Sequence, residues 1–256
     1  MKNYLLIISL SVLLVFSLVN QIEAEELTGE DVLEQVDNLS SAETSRMEFD
    51  IILYSSGGQT RERSLLVKSR EKDGVEESFI RFLAPPSVEG TGFLSQDYGD
   101  ENIMYLYLPA LGSVRRIASD QQDDSFVGTD FTYSDLSFLG GGGYQDDYEA
   151  EIEEEIEDEY MLYLEPVKGD IHYDFVRIRV QKSNWFPVEI ELYEESELSK
   201  VMTSEQWEKI DNYWTARQIT MEDVREGTKT VLHMKEITYG ESIDDQIFTT
   251  RFLERY

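Results

Sequence analysis

Residues 85–139 read PPSVEGTGFLSQDYGDENIMYLYLPALGSVRRIASDQQDDSFVGTDFTYSDLSFL. The run from Ile103 to Leu108 is apolar or aromatic at every position, and Pro109 and Gly112 stop it. Successive side chains of a strand point to opposite faces, so such a run needs cover on both sides or a ligand on one. Arg115 and Arg116 follow, a cationic pair in an acidic chain, and the same alternation sends them to opposite faces. At most one of them can point into a cavity. Residues 126–139 are aromatic and turn-rich and lack strand alternation, and residues 132–139 suit a helical turn or a lid. The segments 90–96, 103–108 and 114–118 read as strands.

Upstream, Met47, Phe49, Ile51 and Leu53 recur at period two around Glu48 and Asp50, the pattern of a strand with one buried face. Gly57 and Gly58 make a turn, residues 60–69 return, and residues 75–83 form a third strand that Pro85 and Pro86 end. Before these strands, residues 28–39 read as a short amphipathic helix. Thr28 caps it, Glu30 and Asp31 lie in its first turn, and Val32, Leu33, Val36 and Leu39 form an apolar stripe. Downstream, strands are expected at 160–166, 173–182, 187–193, 200–210, 214–224 and 228–239. Turn residues fall between them at Gly169, Asn184-Trp185, Asp211-Asn212 and Glu226-Gly227. The fold class is mainly β (α+β): a curved antiparallel sheet forming an incomplete β-barrel, with short helices covering an apolar cavity. Residues 25–256 form a single domain, and the glycine run 140–143 is a flexible break within it.

The chain has 256 residues, 41% of them hydrophobic, enough for a folded core. It carries 53 acidic and 22 basic side chains, a formal net charge of −31. That charge repels a phosphate backbone, which argues against nucleic-acid partners. It suits high salt, where screening shortens self-repulsion, and a halophilic source is the corresponding expectation. There is no cysteine, which removes disulfides, thiolate catalysis, Cys-based zinc sites and amino-terminal lipidation. Residues 1–24 read as a secretory signal peptide: Lys2, an apolar run from Leu5 to Val19, and a small-residue cleavage site ending at Ala24. The competing reading is an uncleaved anchor, because residues 3–22 are uncharged. A periplasmic location follows from the cleaved form.

No constellation for catalysis emerges. His172 and His233 are far apart, and each reads as a strand residue. No Gly-x-Ser-x-Gly elbow is present, and no Gly-Lys-Ser/Thr follows the four glycines. Residues 146–159 carry ten acids in fourteen but lack EF-hand spacing, and they read as a strand with a charged outer face. No metal and no cofactor is called for. The better reading is a binding module. Met47, Phe49, Ile51, Leu53, Met104, Leu106 and Leu108 are the candidate lining of an apolar hollow, with Phe131, Tyr133 and Leu136 as its lid. Arg115 and Arg116 read either as internal ion pairs or as a lid latch or headgroup contact, since guanidinium binds carboxylate and phosphate bidentately.

The blocks GTGFL (90–94), MYLYLPALGSVRRIAS (104–119) and SFVGTDFTYSDL (125–136) resemble the signature blocks of the outer-membrane lipoprotein-sorting proteins, relatives of the periplasmic lipoprotein carrier. The resemblance extends from the helix near Thr28 to the ending FTTRFL. It implies a periplasmic, non-enzymatic carrier or chaperone for the acyl chains of lipoproteins, or for other lipids. It further implies a helix lying against the hollow of the sheet, an inner-membrane transporter as donor and an outer-membrane acceptor. An envelope scaffold, or a binding partner of a membrane transporter that carries no lipid, is the alternative.

Overall fold

A computed structural model describes residues 27–39, 42–99, 101–139, 143–169 and 171–255. The signal-peptide reading of residues 1–24 and most of the glycine run lie outside these residues. Helix α1 (Gly29–Asp37) is followed by β1 (Thr44–Tyr54), β2 (Thr60–Lys72), β3 (Val75–Ala84), β4 (Gly92–Asp97), β5 (Asn102–Leu108) and β6 (Ser113–Arg116). The segment 117–139 then crosses the sheet, ending in a 3-10 turn, Ser134–Leu139. A one-turn helix α2 (Tyr144–Asp147) leads into β7 (Tyr148–Ile156), β8 (Glu159–Pro166), β9 (Phe175–Gln181), β10 (Pro187–Glu194) and β11 (Glu197–Glu205). After a small hairpin, β12 (Glu208–Ile210) with β13 (Tyr213–Thr215), come β14 (Gln218–Asp223), β15 (Thr228–Tyr239) and a last helical turn α3 (Thr250–Leu253).

Thirteen strands form one antiparallel sheet in the order β6-β5-β4-β3-β2-β1-β15-β14-β11-β10-β9-β8-β7. Two meanders are thus joined by β1 pairing with β15, in register from Ser45↔Tyr239 to Tyr54↔Lys229 with a bulge at Glu48/Phe49. The sheet curves without closing into a barrel. Its curvature is visible in the packing. Phe49, Leu65, Phe82 and Met104 from one meander share a single apolar cluster with Leu162, Ile178, Leu192 and Met202 from the other.

Two regions cover that inner face. In α1, Val32, Leu33 and Val36 are fully buried against it, on the 3.6-residue spacing of a one-sided helix. Thr28 and Asp31 close a capping box, and Asp31 is held below its ordinary value by the Thr28 hydroxyl and amide. Gly29 is needed because a Cβ there would meet Ala150 O at 2.3 Å. That close approach lets Glu30 Oε1 accept from Ala150 N at 2.7 Å, so α1 seals the edge strand β7. The second cover is the segment 117–139.

The outer face of β3–β6 is covered separately. Phe79, Leu94 and Tyr107 pack under Ile247, Phe248 and Leu253 of the C-terminal segment. The MYLYL run is therefore two-faced because both faces are covered: Met104 and Leu106 point inward, Tyr105 and Tyr107 outward. Arg70 sits 4.3 Å from the Phe248 ring centroid, and Asp245, held low by Lys72 and Arg70, fixes the turn that brings it there.

Several sequence expectations shift. The strands expected at 200–210 and 214–224 each break. Gln206 takes φ 53, which ends β11, and Trp207 then pairs edge-to-face with Trp214 in the separate hairpin. His172 is not a strand residue; it lies in the connection before β9. The first helix ends at Asp37 and the strand after Gly112 at Arg116, each two residues short of expectation.

The open seam of the sheet is bridged by Lys168, whose Nζ reaches Asp147 Oδ1 (2.7 Å) and the Gly99 carbonyl (3.1 Å). Carboxylates gather there too. Glu76 is exposed on β3, yet partial desolvation by its crowded surroundings pushes it above its ordinary value of 4.5, and Asp97, Glu71, Asp37 and Asp146 add to the shift. A raised carboxylate destabilises the fold as pH climbs through its folded-state value. Glu76→Gln is therefore expected to melt higher than wild type at pH 7, with the difference vanishing below pH 4.5. Equal or lower melting at pH 7 would show the seam to be fully solvated.

Candidate functional site: a lidded apolar hollow

The segment 117–139 covers the middle of the inner face with aromatic side chains. Phe126 packs at 5.8 Å on Phe82, 5.4 Å on Phe93 and 5.6 Å on Tyr133, and Phe93 meets Tyr133 at 5.7 Å, all between ring centroids. Phe126, Phe131, Tyr133 and Phe138 are buried, each worth about 1.5–3 kcal/mol relative to exposure. The turn between Phe126 and Phe131 closes through Phe126 N to Phe131 O at 2.7 Å. It places β-branched Val127 at φ 52, a left-handed conformation that costs about 1–3 kcal/mol. Arg63 holds that strained residue, donating Nη1 to the Val127 carbonyl at 2.6 Å.

Polar groups fasten the lid to the sheet. Asp135, with no exposed surface, accepts from Lys200 Nζ at 2.8 Å, from the Tyr173 hydroxyl at 2.6 Å and from Thr132 N at 2.8 Å. Burial, and then the charge and hydrogen bond of Asp135, push Tyr173 far above the ordinary phenol range, so it stays a donor. Asp130 accepts from the hydroxyls of Thr228 and Thr230, the latter at 2.5 Å, and its own amide donates to Thr230 Oγ1 at 3.0 Å. His172 stands between Asp123 of the lid, 3.4 Å away, and Glu194 of β10, 3.2 Å away.

The structure brings the candidate apolar residues together. Phe49, Ile51, Leu53, Met104, Leu106, Phe131 and Tyr133 belong to the one buried cluster, and Met47, Leu108 and Leu136 pack against it. These side chains pack on one another across the inner face. Clefts of about 270 and 590 Å³ open on the described surface, both with mixed charged and apolar lining. The larger runs between lid and sheet, over Leu53, Phe131, Lys200, Arg61 and Arg225.

Arg115 and Arg116 are both exposed and lie on opposite faces. Arg116 pairs with Glu101 at 2.6 Å. Arg115, opposite inward-facing Leu106, lies by the Tyr133 hydroxyl, where it opposes the upward push that burial gives this phenol. Sequence reasoning did not single out Asp135, Lys200, Tyr173, Asp130, Thr230 or Phe126. Lys200 had a signal: it shares the inward register of Met202, opposite Leu192 of β10, a position that asks for a buried anion. Among the described residues, no group of three or more His, Asp or Glu could hold a metal ion, and no helix is long and apolar enough to cross a membrane.

A family model described as "-like: Uncharacterized protein" matches residues 74–255. Among solved structures, a DUF1329 family protein from Desulfovibrio piger is 29% identical, with a TM-score of 0.81, over 88% of this chain and 97% of that one. An outer membrane lipoprotein-sorting protein domain from Vibrio parahaemolyticus is 24% identical, TM-score 0.81, over 89% and 98%. A LolA superfamily protein from Nitrosomonas europaea is 21% identical, TM-score 0.70, over 88% and 99%. No curated protein matches.

Proposed function

The chain belongs to a LolA-like family, and from that premise we propose that it is a periplasmic, non-enzymatic carrier of acyl chains. It takes the lipid part of lipoproteins, or another lipid, from an inner-membrane transporter and yields it to an outer-membrane acceptor. The observation that carries this reading is the lid. One apolar cluster spans both meanders, and the segment over its middle is held by replaceable polar contacts rather than by strand pairing into the sheet.

The energetics suit transport. Displacing the four buried lid aromatics costs about 6–12 kcal/mol, from about 1.5–3 kcal/mol each. Burying about fifteen methylenes returns about 12 kcal/mol, at about 0.8 kcal/mol each. An exchange near balance permits release as well as capture. Met47, Phe49, Ile51, Leu53, Met104, Leu106 and Leu108 would line the loaded hollow, with Phe131, Tyr133 and Leu136 on the displaced lid and Arg115 at its margin.

The test is native mass spectrometry with lipid extraction on protein purified from a bacterial periplasm. Acyl species are expected near one equivalent, and much reduced in Leu53→Glu or Leu106→Glu protein that still folds. A clean unliganded mass that also takes up no added lipopeptide would instead favour the scaffold.

A further inference from the structure

The lid and the surface beneath it have opposite charge. Residues 117–139 contain Asp120, Asp123, Asp124, Asp130 and Asp135 and no Lys, Arg or His. Under them lie Lys200 and the pair Arg61 and Arg63, which stand opposite Leu53 and Ile51 across β1–β2 and so share their inward face. Arg63 is held by a carbonyl, not a carboxylate, and burial and then the charge of Arg61 lower its pKa. Lys200 is only 7% exposed and depends on Asp135.

Opening the lid withdraws Asp135 from Lys200 and Val127 O from Arg63, and it also carries Asp123 and Asp130 out of the cleft. The acids left at the cleft are Glu194, already paired with Arg225 at 2.7 Å, and Asp223 and Glu226 at the rim. The cleft lining thus passes from an excess of acid to balance, with Lys200 and Arg63 freed of their lid partners. Among the described residues Asp135 is the carboxylate paired with Lys200, and a buried ammonium that loses its carboxylate is among the costliest defects a fold can carry. Whatever displaces the lid must therefore supply an acceptor at that place.

We infer that the lid is a stand-in for the head of an anionic amphiphile, and that Lys200, with Arg61 and Arg63, takes that head when acyl chains enter the hollow. This rests on the carrier reading and narrows its cargo to molecules with a phosphate or carboxylate beside their chains.

The test compares two probes of equal chain length below their micelle concentrations, a monoacyl glycerol phosphate and the neutral monoacylglycerol. The anionic probe is expected to bind about tenfold to hundredfold tighter to the wild type, the worth of a charge-assisted hydrogen bond. The preference is expected to fall by about tenfold in Lys200→Met, with Arg61 and Arg63 sustaining the remainder. The double variant Lys200→Met/Asp135→Leu, which leaves no charge stranded, is expected to do the same and covers the case in which the single variant fails to fold. Equal affinities in the wild type, or a preference undiminished in a folded variant, would overturn the inference and leave the carrier reading standing. Binding of neither probe would reject both. If inorganic phosphate alone binds as tightly as the anionic probe, the site serves free phosphate, and the headgroup assignment falls.

Discussion

Asp135→Ala is expected to destabilise the protein by about 3–5 kcal/mol, the range for breaking a buried ion pair by removing one partner. The substitution strands the Lys200 ammonium and leaves the Tyr173 hydroxyl and the Thr132 amide without the acceptor each uses. Lys200→Met/Asp135→Leu removes both charges at similar volume and is expected to recover part of that loss, because apolar replacement of a buried pair strands no charge while the Tyr173 hydroxyl and the Thr132 amide still lack their acceptor. Urea unfolding checks both: the midpoint falls in the single variant and partly recovers in the double, with the slope unchanged. If Asp135→Ala falls within about 0.5 kcal/mol of wild type, as surface substitutions do, then the pair is solvated and the lid is not fastened there.

The sheet was legible because its signals are local. Period two in Met47, Phe49, Ile51 and Leu53 places those side chains where one buried face needs them, and β15 was read to the residue, Thr228–Tyr239. The helix start was equally readable, since Thr28 and Asp31 form their cap within one turn. The break at Gln206 and Trp207 was not, because a small hairpin held by Trp207 and Trp214 is a tertiary event in a segment that still alternates.

The site divides in the same way. Its apolar members were readable one strand at a time. Its fastenings join residues as distant as Asp135 and Lys200, or Asp130 and Thr230, and no local pattern pairs them. The double arginine drew notice because it stands out in an acidic chain, yet the cations gripping the lid, Arg63 and Lys200, look ordinary in their own strands. Only the inward register of Lys200 hinted at its role.

The most direct test of the central claim, that the lid yields its place to an acyl chain, is amide hydrogen exchange with and without saturating monoacyl glycerol phosphate. In the closed form the lid amides are held by Phe131 O on Phe126 N, by Asp135 on Thr132 N, by Thr230 on Asp130 N and by Gln122 O on Ser134 N. Of these, the bond from Asp130 N to Thr230 crosses from lid to sheet and breaks if the lid lifts, and the three within the lid lose the packing that shields them, whereas β8 and β9, with Leu162, Val176 and Ile178 fully buried, keep theirs. The expected result is exchange across 117–139 accelerated by about tenfold or more on loading, at about 1.4 kcal/mol of lost protection per factor of ten, while β8 and β9 are unchanged. Lid protection that is unchanged or increased in protein demonstrably carrying the amphiphile would contradict displacement and place the cargo elsewhere on the fold.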